Sequence, residues 1–417
     1  MKILFLGINY WPEETGNATF VVGRCEYLAE RGHEVTICTG YPYYPEWRVR
    51  PDYRRKWFMH ERRNRVDIRR VPLYVPRRVT SFKRMMHEAS FIASSFAAAL
   101  ACQRPDLLYV VSAPLGLAAS AFFLSRAWQI PYAFYVSDMQ PDAAAELGML
   151  PGSILKVLYG LERFAYRHAA LVPTLTEGMR QRIISKGVPA EKVVVFSHCA
   201  EQRLFEVPVG RGGLNFRRAH GLENHFIVLH AGNMGVKQGL EVVINAAART
   251  VQDRSIVYLL VGDGVTKRSL QEGRASLGLE NVQFLPVQPR DVFWDMLGAA
   301  DACLITERGS VSDILFPGKT VDFLSAGRPV IASLSSDTET ARIVSSAGAG
   351  LVVPPGDAEA LAAAVMRLCS SQSERAVMGE RGRAYAREHW DRSRVLPYME
   401  EKLIGLVGTG NAQKKAG

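Results

Sequence analysis

A proline, a glycine and a lysine open one segment of this chain in an order that suits an anion. In FPGKTVDFLSAGRPVIAS (316–333), Pro317 and Gly318 begin a helix with unsatisfied N–H groups, Lys319 and Thr320 follow, and Asp322 lies one turn along. A helix N-terminus favours an anion by roughly 0.3–1 kcal/mol, and charge-assisted bonds from a lysine add to that. Asp322 offers an acceptor-only carboxylate matched to ribose hydroxyls; the alternative is simple helix-terminus electrostatics. Upstream, the apolar run FIVLHAG leads into GNMGVKQG (232–239), where Gly232, Asn233, Met234 and Gly235 precede Lys237. Backbone N–H groups in such a loop, with Lys237 as counter-charge, suit a diphosphate; a tight glycine turn is the plainer reading. Company favours the first. VGDG (Gly262, Asp263, Gly264) with Lys267, FLPVQPRD with Val287 and Gln288, and Phe316 with the turn after it each stand at a strand end or a helix mouth.

The front half holds fewer groups of this kind. PEETGN (12–17) follows the first strand and precedes a helix, so Gly16 lets backbone approach a ligand beside a helix start, with Asn17 next to it. GxGxxG is absent, which disfavours nicotinamide binding. YVSDMQPD (135–142) puts Asp138 and Asp142 just after a strand; either could bind an acceptor hydroxyl or act as base, and Asp142 is better read as a helix cap. His198 in FSHCAE reads as a hydrogen-bonded structural histidine. No Asp-x-Asp pair occurs, so the usual carboxylates for a metal on a nucleotide-sugar are missing, and Lys, Arg and helix dipoles must meet the diphosphate charge. No Ser/His/Asp or Cys/His motif stands out.

The elements that must position these groups alternate. Apolar strand-like runs (KILFLGI, HEVTICTG, LLYVV, YAFYVSD, ALVPT, KVVVF) are separated by helical stretches, and the pattern restarts after a polar segment at 208–223. Two α/β domains follow, each a doubly wound, Rossmann-like parallel sheet. The length of 417 residues and the composition, 48% hydrophobic and 22% charged, agree with two domains. The tail end at 374–407 reads as amphipathic helix broken near Trp390 and Pro397, with 408–417 a flexible tail.

Charge is uneven. Residues 1–205 carry 27 Lys+Arg against 18 Asp+Glu, and 14 of those cations fall between Arg48 and Arg84 among Trp and Tyr side chains. That segment reads as a solvated loop, a nucleic-acid groove or a patch for an anionic membrane. Arg54, Arg55, Arg62, Arg63, Arg69 and Arg70 are its candidate contacts, at about 1 kcal/mol per cation facing lipid. The apolar residues of 82–100, Met85 and Phe96 among them, are either core or a lipid-facing partner. Pro114 and Gly116 divide the longest uncharged stretch, 107–125, into strand and helix, which argues against a membrane span. The apolar start is too short for a signal-peptide core, and the six scattered cysteines read as reduced, cytoplasmic thiols.

In family order, PEETGN, RGHEVTICTG, HAGNMGVKQGLE, LLVGDG, NVQFLPVQP, ADACLIT, FPGKTVDFLSAGRPVIAS and GAGLVVPPGDAEALAAAV resemble family 4 of the retaining glycosyltransferases, and most closely its colanic-acid fucosyltransferase-like subgroup. The resemblance implies the two-Rossmann GT-B fold, its domains facing a cleft: an acceptor domain (1–207), a donor domain (208–385) and a helix (386–407) that crosses back to the first. It implies a UDP- or GDP-linked sugar as donor, no metal or other cofactor, Asp138, Lys237 and Lys319 as catalytic candidates, and sugar transfer with retention. The acceptor implied is a lipid-linked (polyprenyl-diphosphate) or other saccharide, which together with the basic patch places the protein on the inner face of the cytoplasmic membrane, with no nucleic-acid partner. The family's paired glutamates, separated by seven residues, fall at Ile314 and Asp322; its diphosphate-loop Arg and Lys fall at Asn233 and Gln238; its first-domain His falls at Ser137; its first-loop Gly-Gly is Gly16-Asn17. A nucleotide-sugar epimerase of the same architecture and a non-catalytic nucleotide-sugar-binding protein are the competing readings.

Overall fold

The structure is a computed structural model describing all residues except 14–16, 45, 55, 147–149, 209–212, 310–315 and 416–417, and the side chains of 17, 146 and 409–415 as well. The chain divides into two units: Met1–Ser197 together with Val395–Gly417, and His198–Arg394.

The first unit runs β1 (Lys2–Leu6), α1 (Asn17–Glu30), β2 (Glu34–Gly40), β3 (Met59–Arg63), β4 (Val66–Val71), α2 (Ser81–Leu100), β5 (Leu107–Val111), α3 (Leu117–Trp128), β6 (Tyr132–Tyr135), α4 (Gln140–Glu146), α5 (Gly152–His168), β7 (Val172–Thr174), α6 (Glu177–Ser185) and β8 (Val193–Val195). Its main sheet has the order β3-β4-β2-β1-β5-β6. All pairings are parallel except β3 with β4, a hairpin whose two turn residues, Asn64 and Arg65, have φ of 47° and 66°. β7 and β8 pair in parallel and continue the sheet through bridges Ala133↔Leu171 and Val136↔Thr174.

The second unit runs α7 (Leu214–Ala219), β9 (Phe226–Ala231), α8 (Glu241–Arg249), β10 (Ile256–Val261), α9 (Lys267–Ser276), β11 (Val282–Leu285), α10 (Arg290–Ala299), β12 (Ala302–Thr306), α11 (Gly318–Ser325), β13 (Val330–Ser333), α12 (Glu339–Ser346), β14 (Gly350–Val353), α13 (Ala358–Ser370) and α14 (Gln372–His389). Its sheet is all parallel, in the order β11-β10-β9-β12-β13-β14. Every residue of β9 and β10 is buried, as strands covered on both faces require. On one face Val243 and Ala247 of α8 join Leu361, Val365 and Leu368 of α13 in the core. Each fully buried Val or Leu contributes roughly 1.5–3 kcal/mol, which fixes the strand ends to which the loops are attached.

The last helix, α15 (Arg392–Lys415), contains Pro397, where the sequence predicts a break. Asp391 caps it by accepting from the Ser393 N–H at 2.8 Å, and Pro397, six residues in, removes the bond an N–H there would make to the Ser393 carbonyl and crowds that carbonyl without ending the helix. The break near Trp390 does occur, between α14 and α15. Glu400 fastens α15 within the first unit, accepting from Tyr27 (2.9 Å) and Arg31 (3.1 Å) and meeting His33 (2.9 Å). Among the described residues no helix is long and apolar enough to cross a membrane.

Candidate active site

In the second unit the strand order reverses between β9 and β12, and in open α/β sheets ligands bind beyond the carboxyl ends of strands at such a point. The loops singled out in the sequence surround it. The β9 and β10 loops touch backbone to backbone. Gly262 has φ +145°, and a Cβ there would stand 1.9 Å from the Gly232 carbonyl oxygen; at Gly264 (φ +152°) it would stand 2.4 Å from that of Met234. Only glycine fits either place. The Met234 N–H donates to the Asp263 carbonyl (2.8 Å), and the Thr266 hydroxyl donates to Met234 O (2.7 Å). Lys267, expected at the donor, donates its ammonium to the Gly262 carbonyl (2.8 Å) and so helps to hold the loop. Asp263 accepts from the Gly264 N–H, while Val287 is exposed and Gln288 donates to Pro286 O.

Across the switch point, Gly318 and Lys319 begin α11 after Pro317. The helix forms because Thr320, Val321, Phe323 and Leu324 are buried, and it ends at Gly327, whose φ is +64°. Phe316 is buried and its ring lies 6.0 Å from that of Trp390. Lys319 is half-buried, and burial draws its ammonium down to about 8; the carboxylate of Glu307 opposes that fall, and Lys237 adds to it. Lys237 from the β9 loop, Glu307 from the end of β12 and Lys319 from α11 therefore share one electrostatic neighbourhood. The Arg308 N–H donates to the Lys237 carbonyl at 2.9 Å and ties the β12 loop to the β9 loop.

Asp322 faces an ion pair that the sequence does not announce, Arg290 with Glu201. Burial lifts its carboxyl to about 6, with Arg290 pulling down and Glu201 adding to the rise. Below the loops, His230 is fully buried on β9; burial and then Lys319 hold it well below the usual imidazole range, against the pull of backbone groups at Asn233 and Leu304. The hydroxyls of Thr306 and Thr320 are buried and unpaired. An unpaired buried hydroxyl costs about 1–3 kcal/mol, so Thr306 and Thr320, at the end of β12 and the start of α11, are polar groups that the protein alone does not satisfy.

In the first unit, Asp138 stands half-buried just beyond β6, next to buried Ser137. Asp142 is not a cap. It is the third residue of α4 and pairs with Arg182 (3.1 Å) and Lys186, while Lys186 also holds Glu162 (2.7 Å), because a buried carboxylate must be paired. Buried Glu13 was not expected; it accepts from the N–H groups of Tyr43 (2.8 Å) and Tyr44 (2.9 Å) and from Asn9, fixing the loop after β1. Gly16 lies outside the described residues, as do Arg55 and Ile314; Asn17 begins α1. His198 is buried.

The basic segment divides in a way composition could not show. Arg54 and Arg62 are exposed, but Arg70 is 1% exposed: it pairs with Glu61 (3.0 Å), donates to the Trp11 carbonyl and lies 5.3 Å from the Tyr53 ring centre. Arg63 pairs with Glu26 (2.6 Å) beside Trp11, and Arg69 is half-buried with its Nε inside the protein. The expectation that these six arginines are contacts for an anionic surface is therefore corrected for Arg70, which is core, while Arg63 is engaged with Glu26. Outward-facing groups lie elsewhere. α2 buries His87, Phe91 and Ser95 on one face and exposes Phe82, Met85, Met86, Ala89, Ala93, Ala97 and Leu100 at three- and four-residue spacing on another. Trp57 is 79% exposed, and Phe58, Arg77, Arg78 and Arg84 are exposed as well.

Comparison with known proteins agrees with the fold. A glycosyl transferase 4-like domain model matches residues 15–198, and a glycosyl transferases group 1 model matches 225–371. The chain is 31% identical to the colanic acid biosynthesis glycosyl transferase WcaI of Escherichia coli, over 97% of this chain and 100% of that protein. Among solved structures, Anabaena Alr3699/HepE in complex with UDP superposes with a TM-score of 0.71 at 18% identity, covering 97% of this chain and all of that one. WaaG, a glycosyltransferase involved in lipopolysaccharide biosynthesis, gives 0.68 at 16% identity, with 97% and 100% covered.

Proposed function

Since this chain belongs to the glycosyltransferase family defined by the 4-like and group 1 domains, and is a GT-B glycosyltransferase, we propose that its donor is a nucleotide-diphosphate sugar, UDP- or GDP-linked, bound by the second unit. The observation that carries this reading is the convergence of Lys237, Lys319 and the start of α11 on the glycine-laced switch point. In the proposed reaction an acceptor hydroxyl attacks the anomeric carbon on the face from which the diphosphate departs. The bond from that carbon to the diphosphate oxygen breaks, and the hydroxyl proton passes to the released phosphate, so configuration is retained. Negative charge grows on the leaving diphosphate, and Lys319, Lys237 and the helix start stabilise it more in the transition state than before it, with no metal required. Asp138 is the proposed guide for the acceptor hydroxyl, and Asp322 the acceptor of ribose hydroxyl bonds.

The biological reading is the assembly of a cell-surface or exopolysaccharide on a lipid-linked, polyprenyl-diphosphate saccharide, at the inner face of the cytoplasmic membrane. The colanic acid relative supports the product class, and its being a transferase leaves the epimerase alternative without support. The exposed apolar face of α2, flanked by arginines, supports peripheral attachment.

Thermal unfolding with UDP, GDP or ADP tests the donor reading. At a hundred times Kd a ligand of the folded state adds about 2.7 kcal/mol, so one nucleotide should raise the midpoint by roughly 5–10 °C. No shift with any of the three on folded protein would overturn it. For Asp322→Asn, donor KM should rise about tenfold with kcat little changed, the loss of a charge-assisted bond made equally in ground and transition states. An unchanged KM would remove Asp322 from the donor site. The same substitution reads out in stability. The folded carboxyl titrates near 6 and the unfolded one near 3.8, so the native state holds the extra proton between those values. Stability at this group falls as pH rises through that window, and the Asn variant should lack the fall.

A further inference from the structure

The first unit contains a cavity apart from the groups assigned to donor and acceptor. It has a volume of about 240 Å³ and opens where β2 and β4 end, between walls of Tyr41, Tyr53, Pro72 and Leu73, with Arg54 and Lys56 as the charged groups lining it. No acidic residue lines it among the described residues. The Arg54 Nε is anchored to the Val49 carbonyl at 3.0 Å, which holds the guanidinium in place at the wall. The Tyr41 hydroxyl is buried and has no hydrogen-bond partner, although its ring packs 6.0 Å from that of Tyr53. Two cations and an unpaired phenol around an otherwise apolar wall match the needs of a phosphate group, which takes several donors at once.

The residues beside the cavity indicate what such a phosphate would be attached to. Trp57 and Phe58, next in the chain after Lys56, are 79% and 55% exposed, and Tyr74, after Leu73, is exposed too. Tyr74 in turn joins this wall to α2, its carbonyl 2.6 Å from His87 Nδ1 and its N–H donating to Ser90 Oγ at 2.8 Å. A soluble anion would leave these apolar rings in water. A phosphate at the head of an acyl or prenyl chain would bring apolar material to them, and the excess of cations in this half of the chain disfavours a second copy as the occupant.

We propose that this cavity binds the terminal phosphate of an anionic lipid, with Arg54, Lys56 and Tyr41 as its donors and Trp57 and Phe58 entering the surrounding lipid. The inference rests on the proposed attachment to the membrane and is independent of the donor site.

The test uses the full chain and phosphatidylcholine vesicles carrying either phosphatidic acid, which has a terminal phosphate, or phosphatidylglycerol, which has none, at matched zeta potential. Binding to phosphatidic acid vesicles should be about tenfold tighter. Tyr41→Phe, which alters no charge, should reduce that preference several-fold and leave binding to phosphatidylglycerol unchanged; Arg54→Gln with Lys56→Gln should abolish the preference. Equal binding at matched potential, or a preference that survives both variants, would overturn the assignment. Inorganic diphosphate bound by lipid-free protein through Arg54 and Lys56, without any vesicle preference, would make this a free-anion site and also overturn it. Failure to bind any vesicle would remove the membrane reading together with this one. Nucleotide-induced stabilisation of the same variants reports the donor site separately and should match that of the unaltered chain.

Discussion

Replacing Lys319 by Ala should lower kcat by about 10²–10³, the usual cost of removing one preorganised donor from a developing oxyanion, while the thermal midpoint stays level or rises. The two halves of that expectation have a common cause. Burial already draws the ammonium down to about 8 from 10.5, so the folded protein holds this charge at a cost that Glu307 offsets in part and a bound anion would offset further. Without ligand, Ala removes the cost; with donor present, it removes the counter-charge. The sign of the pH effect comes from the same depression. Between about 8 and 10.5 the unfolded chain binds the proton that the folded chain has lost, so stability at this group rises with pH across that window, and Lys319→Ala should flatten the rise. Donor binding runs the other way and should weaken as pH climbs through 8, with proton uptake on binding measurable by calorimetry in buffers of different ionisation enthalpy. An unaltered turnover in Lys319→Ala would take the residue out of the mechanism, and with it the strongest support for the donor reading.

Much of this arrangement is legible in the sequence because it is local. Gly232, Gly262 and Gly264 precede or follow short apolar runs, and a glycine between a buried strand and a helix announces a turn wherever the chain folds. Lys319 and Asp322 are legible for the same reason: a Pro-Gly-Lys helix start has its chemistry within four residues. What the sequence does not carry is the partner that arrives from far along the chain. Glu307 follows an ordinary strand, and nothing near it says that its carboxylate comes to oppose the depression of Lys319. Arg290 lies within FLPVQPRD, but its meeting with Glu201 and Asp322 joins three separate segments. His230 passes as one more residue of an apolar run until the closed sheet buries its imidazole within the electrostatic reach of Lys319. Pro397 shows the converse: a locally reliable breaker sits inside the second turn of α15, and the helix continues through it to where Glu400 is fastened by Tyr27 and Arg31.

The sharpest case is the basic segment, where Arg70→Ser and Arg62→Ser should differ by far more than their composition suggests. The two side chains share a hairpin, and in a count of cations they are equal. Arg70 is 1% exposed, its guanidinium shared among Glu61, the carbonyls of Trp11 and Gly40 and the face of Tyr53. Serine there takes the guanidinium from the Glu61 carboxylate, leaving it only the Tyr53 hydroxyl, removes a donor from two carbonyls and leaves a void. Removing one partner of a buried pair costs about 3–5 kcal/mol, and because the Glu61 side chain keeps 22% exposure the lower end applies. At roughly 2–4 °C per kcal/mol for a unit of this size, the thermal midpoint of the first unit should fall by about 6–12 °C. Arg62 is exposed, and its replacement should move the midpoint by less than about 1 °C, with its effect confined to salt-sensitive binding at anionic surfaces. A vesicle experiment that neutralises the whole arginine run would therefore confuse unfolding with lost attraction; replacing Arg54 and Arg62 while keeping Arg70 separates the two. Equal midpoints for the Arg70 and Arg62 variants would mean that the interior of the hairpin tolerates the loss of the Arg70–Glu61 pair, and that Arg70 contributes no more to stability than an exposed arginine.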